Sequence, residues 1–275
     1  MANIDKLIPR KIYSANSYPT IEIEVCLDNG ITVRTSSPAS LYDKKEHERT
    51  FSTNSFGKVV TPLNNGKNYD DGVNATIKSI KEEIVPEIVS KNVNNQFGID
   101  SILSDLNGNR NKFNLTVNST LAVSCAVAKA AAKSNNISLF KYIRELFSKE
   151  KIYRLPVPMI NIFDGGLKTN NNLHFQALMI IPINANSFKE SITVGAKIFH
   201  TAKKVLGEFG LSSSVGDQGG YASIFYSGDE SSIINWKSIV TVAIELIIKS
   251  ISTAGYKAGT DVLLAIDAAG DTSFF

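Results

Sequence analysis

The sequence has few cysteines, few prolines and no long apolar run, and each shortage excludes a class of protein. Only 2 Cys and 8 Pro occur among 275 residues, which excludes a disulfide scaffold and a collagen-like or proline-rich disordered chain. A membrane span needs about 18 uncharged apolar residues, but Lys237, Glu245 and Lys249 interrupt the best candidate. Residues 1–11 lack the apolar core of a signal peptide. We therefore expect a cytoplasmic protein without a membrane segment.

The chain also has little net charge. It carries 29 Lys and Arg against 26 Asp and Glu, a formal charge of +3, and the basic residues are scattered, so we expect no nucleic-acid partner. Hydrophobic residues make up 43% of the chain, enough to build a sizeable core. Cys26 falls in a predicted strand and Cys125 in an alanine-rich predicted helix, so both are interpreted as small buried residues in a reducing compartment.

The first third of the chain is typical of a small α+β unit. Alternating apolar residues predict three short antiparallel strands at Leu7–Tyr13, Ile21–Leu27 and Ile31–Arg34, and Thr35–Ser40 is predicted as loop. Apolar residues three and four apart predict helices, the first one capped by Asp71. The predicted helices are Val73–Glu83, Asn118–Lys133, Leu139–Phe147, Phe188–Phe209 and Ser231–Thr253.

After about Arg154, short apolar runs alternate with long helices. These runs, Pro158–Phe163, Phe175–Ile181 and Val262–Ile266, are apolar on both faces, as in a parallel α/β sheet or barrel. Pro156 and Pro158 stop any helix in the stretch before them. The predicted domains are therefore residues 1–148 and 149–275.

Several segments, in order along nearly the whole chain, resemble the enolase family, which dehydrates 2-phosphoglycerate to phosphoenolpyruvate. The resemblance lies in their sequence and spacing together, since any one of them is short. The segments are Pro19–Ile23, Leu106–Lys112 (similar to "LDGTxNK"), the alanine-rich Asn118–Ala132, Leu155–Pro158, Asn161 with Gly165-Gly166, Gln176–Ile180 (similar to "QEFMI"), Gly216–Gly220 (similar to "GDEGG") and Ile266–Ala269 (similar to "LDxA").

The resemblance implies an α/β fold in which an enolase-like α+β N-terminal cap precedes a TIM-type barrel with its active site at the strand C-termini. This chain ends soon after Asp267, so only a partial, incomplete barrel is expected. The family's mechanism uses two Mg²⁺ ions, a lysine that takes the α-proton, two glutamates and a histidine near the leaving hydroxyl. Its lysine and two of its metal carboxylates belong to later strands.

Carried over position by position, three catalytic positions of the family are substituted here. Lys168 stands at the histidine position, Ala177 at the glutamate of "QEF" and Gln218 at the glutamate of "GDEGG". A methyl group or a neutral amide cannot exchange a proton near neutral pH. General acid–base catalysis by a positioned side chain commonly contributes ~10²–10⁴-fold in rate. The resemblance therefore predicts no catalytic residue in this chain.

Two metal positions of the family survive. Ser40 matches the serine of the metal loop, or is an ordinary polar loop residue. Asp267 matches the first Mg²⁺ carboxylate, or is a cap or loop anchor at a strand end. A single carboxylate holds Mg²⁺ only with water or substrate oxygens as the other ligands. We therefore expect no cofactor, or Mg²⁺ if any activity is retained.

Other constellations give no independent site. His47, His174 and His200 lie far apart without metal-ligand spacing, and His200 is interpreted as structural. Lys168 is interpreted as a surface lysine, because nothing in the sequence depresses its pKa. Residues 216–220 could suggest a phosphate loop, but they lack the Lys-Ser/Thr of a P-loop.

Three hypotheses remain open. The chain is an inactive enolase-like pseudoenzyme that serves as a structural or binding component, a subunit completed by a second polypeptide into an active phosphopyruvate hydratase, or a fragment. The strand Val262–Ile266 would have an open edge, so we expect a protein partner or self-association there. Arg10 and Glu22 match the family's dimer-interface positions, whose partners belong to the region after this chain's last residue.

Overall fold

The structure, a computed structural model, describes residues 2–15, 17–38, 69–106, 117–148, 152–166, 169–225 and 236–268. The chain divides into two compact units, Met1–Lys151 and Ile152–Phe275, and each unit is described by itself. The domain limits 1–148 and 149–275 stay predictions.

The first unit contains a three-stranded antiparallel sheet in the order β1-β2-β3. Its strands are β1 (Ile4–Tyr13), β2 (Pro19–Leu27) and β3 (Thr32–Ser36). The three predicted strands are thus confirmed. The prediction of a loop from residue 35 is wrong for Thr35 and Ser36, because they pair with β2 and lengthen β3.

Alternation along β2 gives this sheet one apolar and one charged face. Ile21, Ile23 and Val25 are at most 1% exposed and belong to the core. Glu22 and Glu24 alternate with them and lie on the opposite face, where they meet arginines of the neighbouring strands. This alternation is what made the strands predictable.

Helices cover the apolar face. Helix α4, rich in alanine, contacts both β2 and β3, and its small side chains allow close approach of backbone to sheet. The helical segments of this unit are α1 (Tyr69–Ser79), a π-helical turn (Ile80–Ile84), α2 (Val85–Ile88), α3 (Gln96–Leu106), α4 (Val117–Ser134) and α5 (Leu139–Phe147). The predicted helices over α4 and α5 are confirmed.

The predicted start of the first helix is wrong. Helix α1 begins at Tyr69, so Asp71 lies within its first turn rather than at the N-cap. Gly72 also lies within the helix, since a helix tolerates an isolated glycine at a modest cost.

The second unit holds three strands and two long helices. They are β4 (Ile160–Asp164), β5 (Ala177–Pro182), α6 (Phe188–Glu208), α7 (Trp236–Thr253) and β6 (Val262–Asp267). The N-cap Ser187 accepts from Glu190 N (3.1 Å), and the Glu190 carboxylate accepts from Asn186 N (2.8 Å), a reciprocal capping arrangement that fixes the start of α6. Both predicted helices and all three predicted strands are confirmed within the described residues.

The predicted parallel pairing is wrong. The sheet has the order β4-β5-β6, and β5 runs antiparallel to both neighbours. An apolar run indicates that both faces of a strand are buried, but it does not indicate whether the neighbouring strands run parallel or antiparallel to it. Residues 165–176 return the chain from β4 to β5 without a crossover helix among the described residues, and a short return of this kind favours an antiparallel neighbour. The described residues form no closed barrel, as expected of a partial barrel.

The two cysteines are less buried than predicted. Cys26 and Cys125 are each half-buried and free of disulfide bonds. Cys26 lies on the charged face of β2, and Cys125 lies on α4 beside the fully buried Ala126 and Val127. The alternation of side chains along β2 places Cys26 next to the core rather than in it. The helical period of α4 does the same for Cys125.

Candidate functional site

A row of three paired residues crosses one end of the second sheet. Asp164 pairs with Ala177, and Ala177 pairs with Asp267. Because β5 is antiparallel to its neighbours, β4 and β6 end where β5 begins. Two carboxylates and one methyl group therefore stand side by side at the strand C-termini, where barrel enzymes place their active sites.

The two carboxylates of this row have opposite environments. Asp164 is 1% exposed, whereas Asp267 is exposed. Asp164 Oδ2 accepts hydrogen bonds from the backbone amides of Gln218 (3.0 Å) and Gly220 (3.2 Å), and its Oδ1 accepts from the Asn161 amide. A carboxylate with these donors is held as a fixed structural anion rather than presented to a ligand.

The segment 216–220 wraps around Asp164. A Cβ at Gly216 would lie 2.5 Å from Asp164 Oδ2, and one at Gly220 would lie 2.8 Å from Asp164 N. No real Cβ tolerates such contacts, so glycine is required at both positions for this approach. The glycine-rich sequence is explained by a contact inside the chain.

Tyr221 continues this segment along the outer edge of β4. Its amide donates to Ile162 O (2.8 Å) and its carbonyl accepts from Asp164 N (3.1 Å), a parallel bridge. Its ring stacks on Phe199 at 4.3 Å and its hydroxyl donates to Phe199 O. Burial raises the pKa of the Tyr221 hydroxyl. The edge of β4 is thereby covered by the chain itself.

The structure brings two of the three substituted family positions, Ala177 and Gln218, to the same place. Ala177 is 4% exposed and lies opposite Asp164 in the sheet. The backbone N–H of Gln218 donates to Asp164 Oδ2, and Gln218 itself is exposed. Asp164 thus lies between them. A methyl group and a neutral amide provide no acid or base here.

Other predicted residues are separated or lie outside the described residues. Ser40, Lys168 and His47 fall outside the residues that the structure describes. His174 is exposed between β4 and β5, and His200 is exposed on α6 with its ring 6.1 Å from that of Phe199. Of the two predicted metal positions, Ser40 and Asp267, the structure therefore describes only Asp267.

The described residues do not fit a magnesium centre. No group of three or more His, Cys, Asp or Glu in the described part of the chain could hold a metal ion. Of the two carboxylates in the row, Asp164 already accepts three hydrogen bonds, and Ala177 separates it from Asp267. Mg²⁺ prefers an octahedral set of oxygen ligands with one or two carboxylates, so Asp267 would need every other ligand from elsewhere.

The sequence reasoning missed Asp164, Asn171 and Asn172. Asn171 donates to Asp164 O (2.8 Å), and Asn172 exchanges two hydrogen bonds with the backbone of Phe225. Together they fix the loop after β4 against the segment that follows α6. One signal was present: an aspartate directly after a buried strand and before Gly165-Gly166, where a carboxylate has backbone donors nearby.

A second charged cluster lies on the first sheet. Glu24 contacts Arg10 Nη2 at 2.8 Å and Arg34 Nε at 2.5 Å, and Arg10 is also 3.7 Å from Glu22. The hydrogen bonds from Arg10 and Arg34 lower the pKa of Glu24 to about 2. Arg10 and Glu22, the positions matched to a dimer interface, thus form an ion pair with each other within the chain.

Comparison with known families covers both units. The family model described as "Enolase, N-terminal domain" matches residues 4–143. The model described as "Enolase, C-terminal TIM barrel domain" matches residues 152–275. Separately, no helix in the described ranges has the length and apolar character needed to cross a membrane.

Proposed function

Because the chain belongs to the enolase family, we propose that it is a catalytically inactive member that acts as a binding or structural component of an assembly. The motif resemblance is confirmed at the level of the family, whose enzymes are glycolytic lyases. The fold is an enolase N-terminal domain followed by part of the family's TIM barrel. The inactivity and the assembly are our proposal.

The observation that carries the inactivity is the row at the strand ends. Position 177 presents a buried methyl group, position 218 a neutral side-chain amide, and Asp164 between them is buried and accepts three hydrogen bonds. A general acid or base must reach the proton that it transfers. None of these three groups does so, and Mg²⁺ lacks a donor set among the described residues.

The observation that supports a partner is the outer edge of β6. Among the described residues β6 pairs with β5 on one side and with no strand on the other. Leu263 and Ile266 on this strand are 39% and 48% exposed. By contrast, Tyr221 covers the edge of β4. An open apolar edge favours addition of a strand from another chain.

The alternative is an active phosphopyruvate hydratase completed by a second polypeptide. The same open edge of β6 favours it, because a second chain that adds strands there would also reach the row at the strand ends. Ala177 and Gln218 argue against it, since the added chain would have to supply acid–base groups that these positions lack. In either case we propose a cytoplasmic location, which the two free cysteines support.

One experiment tests both parts of the proposal. The tagged chain is recovered from its native source, and the recovered material is analysed by intact mass and by turnover of 2-phosphoglycerate with Mg²⁺. We expect a second polypeptide or a second copy, and no product. A lone polypeptide, or one longer than this chain, contradicts the partner, and turnover favours the alternative.

A matched pair of variants locates the partner. Ile266→Lys places a charge on the open edge of β6, whereas Ile248→Lys places one at a similarly exposed isoleucine (41%) of α7. Edge lysines block strand addition. We expect Ile266→Lys to reduce recovery of the partner at least about tenfold and Ile248→Lys to leave it unchanged. Equal recovery with both variants contradicts docking at β6.

A further inference from the structure

We propose that the glycine-rich segment 216–220 is an anion-binding nest whose occupant is the carboxylate of Asp164 in the same chain. A nest is a short stretch of backbone whose successive N–H groups converge on one anion. This inference concerns how the site is built, and it holds whether or not the assembled protein turns over a substrate.

The first support is the convergence of donors. The amides of Gln218 and Gly220 both donate to one oxygen, Asp164 Oδ2, at 3.0 and 3.2 Å. Gly219 between them has a φ of +91°, the left-handed conformation that alternates with right-handed residues in a nest. The N–H groups of residues 218 and 220 therefore point to the same side of the turn, whereas the Gly219 N–H between them donates to Gly216 O at 3.1 Å and helps to close the turn.

The second support is the fit of the carboxylate. Gly216 and Gly220 approach Asp164 so closely that any Cβ would meet its atoms at 2.5 to 2.8 Å. The turn is itself closed by Gly216 N donating to Gly220 O at 2.8 Å. The space inside the turn is therefore shaped around the occupant that it already holds.

The third support is the absence of a cationic partner. Asp164 takes part in no ion pair of the described residues, although it is 1% exposed. A buried charge must be stabilised by hydrogen bonds or an opposite charge. Backbone amides and the Asn161 side chain supply the stabilisation here.

The nest makes Asp164 a positioning residue. Without the carboxylate, the two amides would lose their acceptor inside the turn. The segment that carries Gln218 to the strand ends would then open more often. Because the occupant comes from within the chain, the segment is closed to external phosphate, which accounts for a glycine-rich sequence without the Lys-Ser/Thr of a P-loop.

Chemical rescue of Asp164→Ala in the full chain tests the proposal. We expect amide hydrogen exchange at Gln218 and Gly220 to rise on the order of 10- to 100-fold, the usual cost of losing a charged acceptor. Formate should restore the protection saturably, because it is a carboxylate small enough for the vacated space. Formamide, of the same shape and without charge, should not. Asp217→Asn, which removes an exposed charge from the same segment, serves as the control and should leave exchange unchanged.

Each other outcome overturns the proposal. Unchanged protection in Asp164→Ala, equal rescue by formamide, or loss that neither additive restores would show that 216–220 is not an anion nest. Should the variant fail to fold, the unmodified chain decides the question by NMR. Couplings through the hydrogen bonds should connect the amide nitrogens of Gln218 and Gly220 to the carboxyl carbon of Asp164, and the lack of both couplings contradicts the nest.

Discussion

Among the described residues, each unit of the molecule holds one buried carboxylate on a three-stranded antiparallel sheet, and the two are stabilised in different ways. Glu24, on β2, is clamped by the side chains of Arg10 and Arg34 from the adjoining strands. Asp164, at the end of β4, is held by backbone amides of 216–220 and by Asn161. The first arrangement uses opposite charge, and the second uses the peptide backbone.

The difference shows which kind of polar site can be altered by side-chain substitution. The Glu24 cluster depends on charges that titrate and are screened by salt. The Asp164 site depends on backbone amides, which every residue except proline possesses. It is therefore sensitive to a Cβ added at the glycines that approach Asp164 and to a second charge placed beside it, and not to the loss of a cationic side chain. Substitutions at the two sites are therefore expected to differ in size and in their response to pH and salt.

The largest effect is expected from Ala177→Glu. This change places a second carboxylate in a buried position (4% exposed) opposite Asp164. We expect it to destabilise the second unit by about 3 kcal/mol more than the isosteric control Ala177→Gln, the scale of an uncompensated buried charge. Amide hydrogen exchange of the buried strand β5 under denaturant measures the unfolding of this unit.

A double-mutant cycle tests the cause of that effect. The two variants at position 177, Glu and Gln, are each combined with Asp164→Asn, which removes the charge opposite them. The difference between their free energies of unfolding should then shrink by about 1 kcal/mol, the upper range for like charges facing each other across strands. If the difference were the same in both backgrounds, the two positions would not interact.

A smaller loss is expected from Gly220→Ala. The added Cβ would lie 2.8 Å from Asp164 N, a backbone atom that cannot turn away. We expect the free energy of unfolding to fall by about 1–3 kcal/mol, as for overpacking. Gly207→Ala on α6 meets nothing within 4 Å and should stabilise by up to ~1 kcal/mol through helix propensity. Similar effects of the two substitutions on stability would contradict the close approach.

The Glu24 cluster should respond to acid. The pKa of Glu24 is lowered from 4.5 to about 2 in the folded state. The stability that ionised Glu24 contributes to the folded protein is therefore present above the unfolded pKa and is lost as pH falls from 4.5 to about 2. We expect amide protection of β2 to decline over that range, and Glu24→Gln to remove much of the decline. The control Glu145→Gln, at an exposed site of α5, should show the same decline as the unmodified protein. If Glu24→Gln also showed that full decline, ionised Glu24 would not stabilise β2.

The smallest effect is expected from Arg34→Ala. Its side chain is 60% exposed although it contacts Glu24, so we expect a loss of at most ~1 kcal/mol that shrinks in high salt. Lys6→Ala, which removes an exposed pair with Asp5, is the control and should change stability less. Asp164 has no cationic partner among the described residues, and 216–220 protection should be insensitive to the same salt.

Strand and helix positions were predictable where periodicity was clear, as at β2 and α5. Strand direction was not, because the apolar runs at β4 and β5 give the same pattern in either direction. Asp164 was missed for a related reason: its donors are backbone amides, which no residue type reveals. The Glu24 clamp required the register of three strands, which fixes Arg34 opposite Glu24 and which alternation alone leaves open.

We propose that the carboxylate at the strand ends is structural and that no proton is transferred there. The most direct test is turnover of 2-phosphoglycerate with Mg²⁺ by the protein in its native assembly, compared with its Asp164→Asn variant. We expect no phosphoenolpyruvate above the protein-free blank from either preparation. Sustained turnover by the unmodified chain that Asp164→Asn abolishes would contradict it.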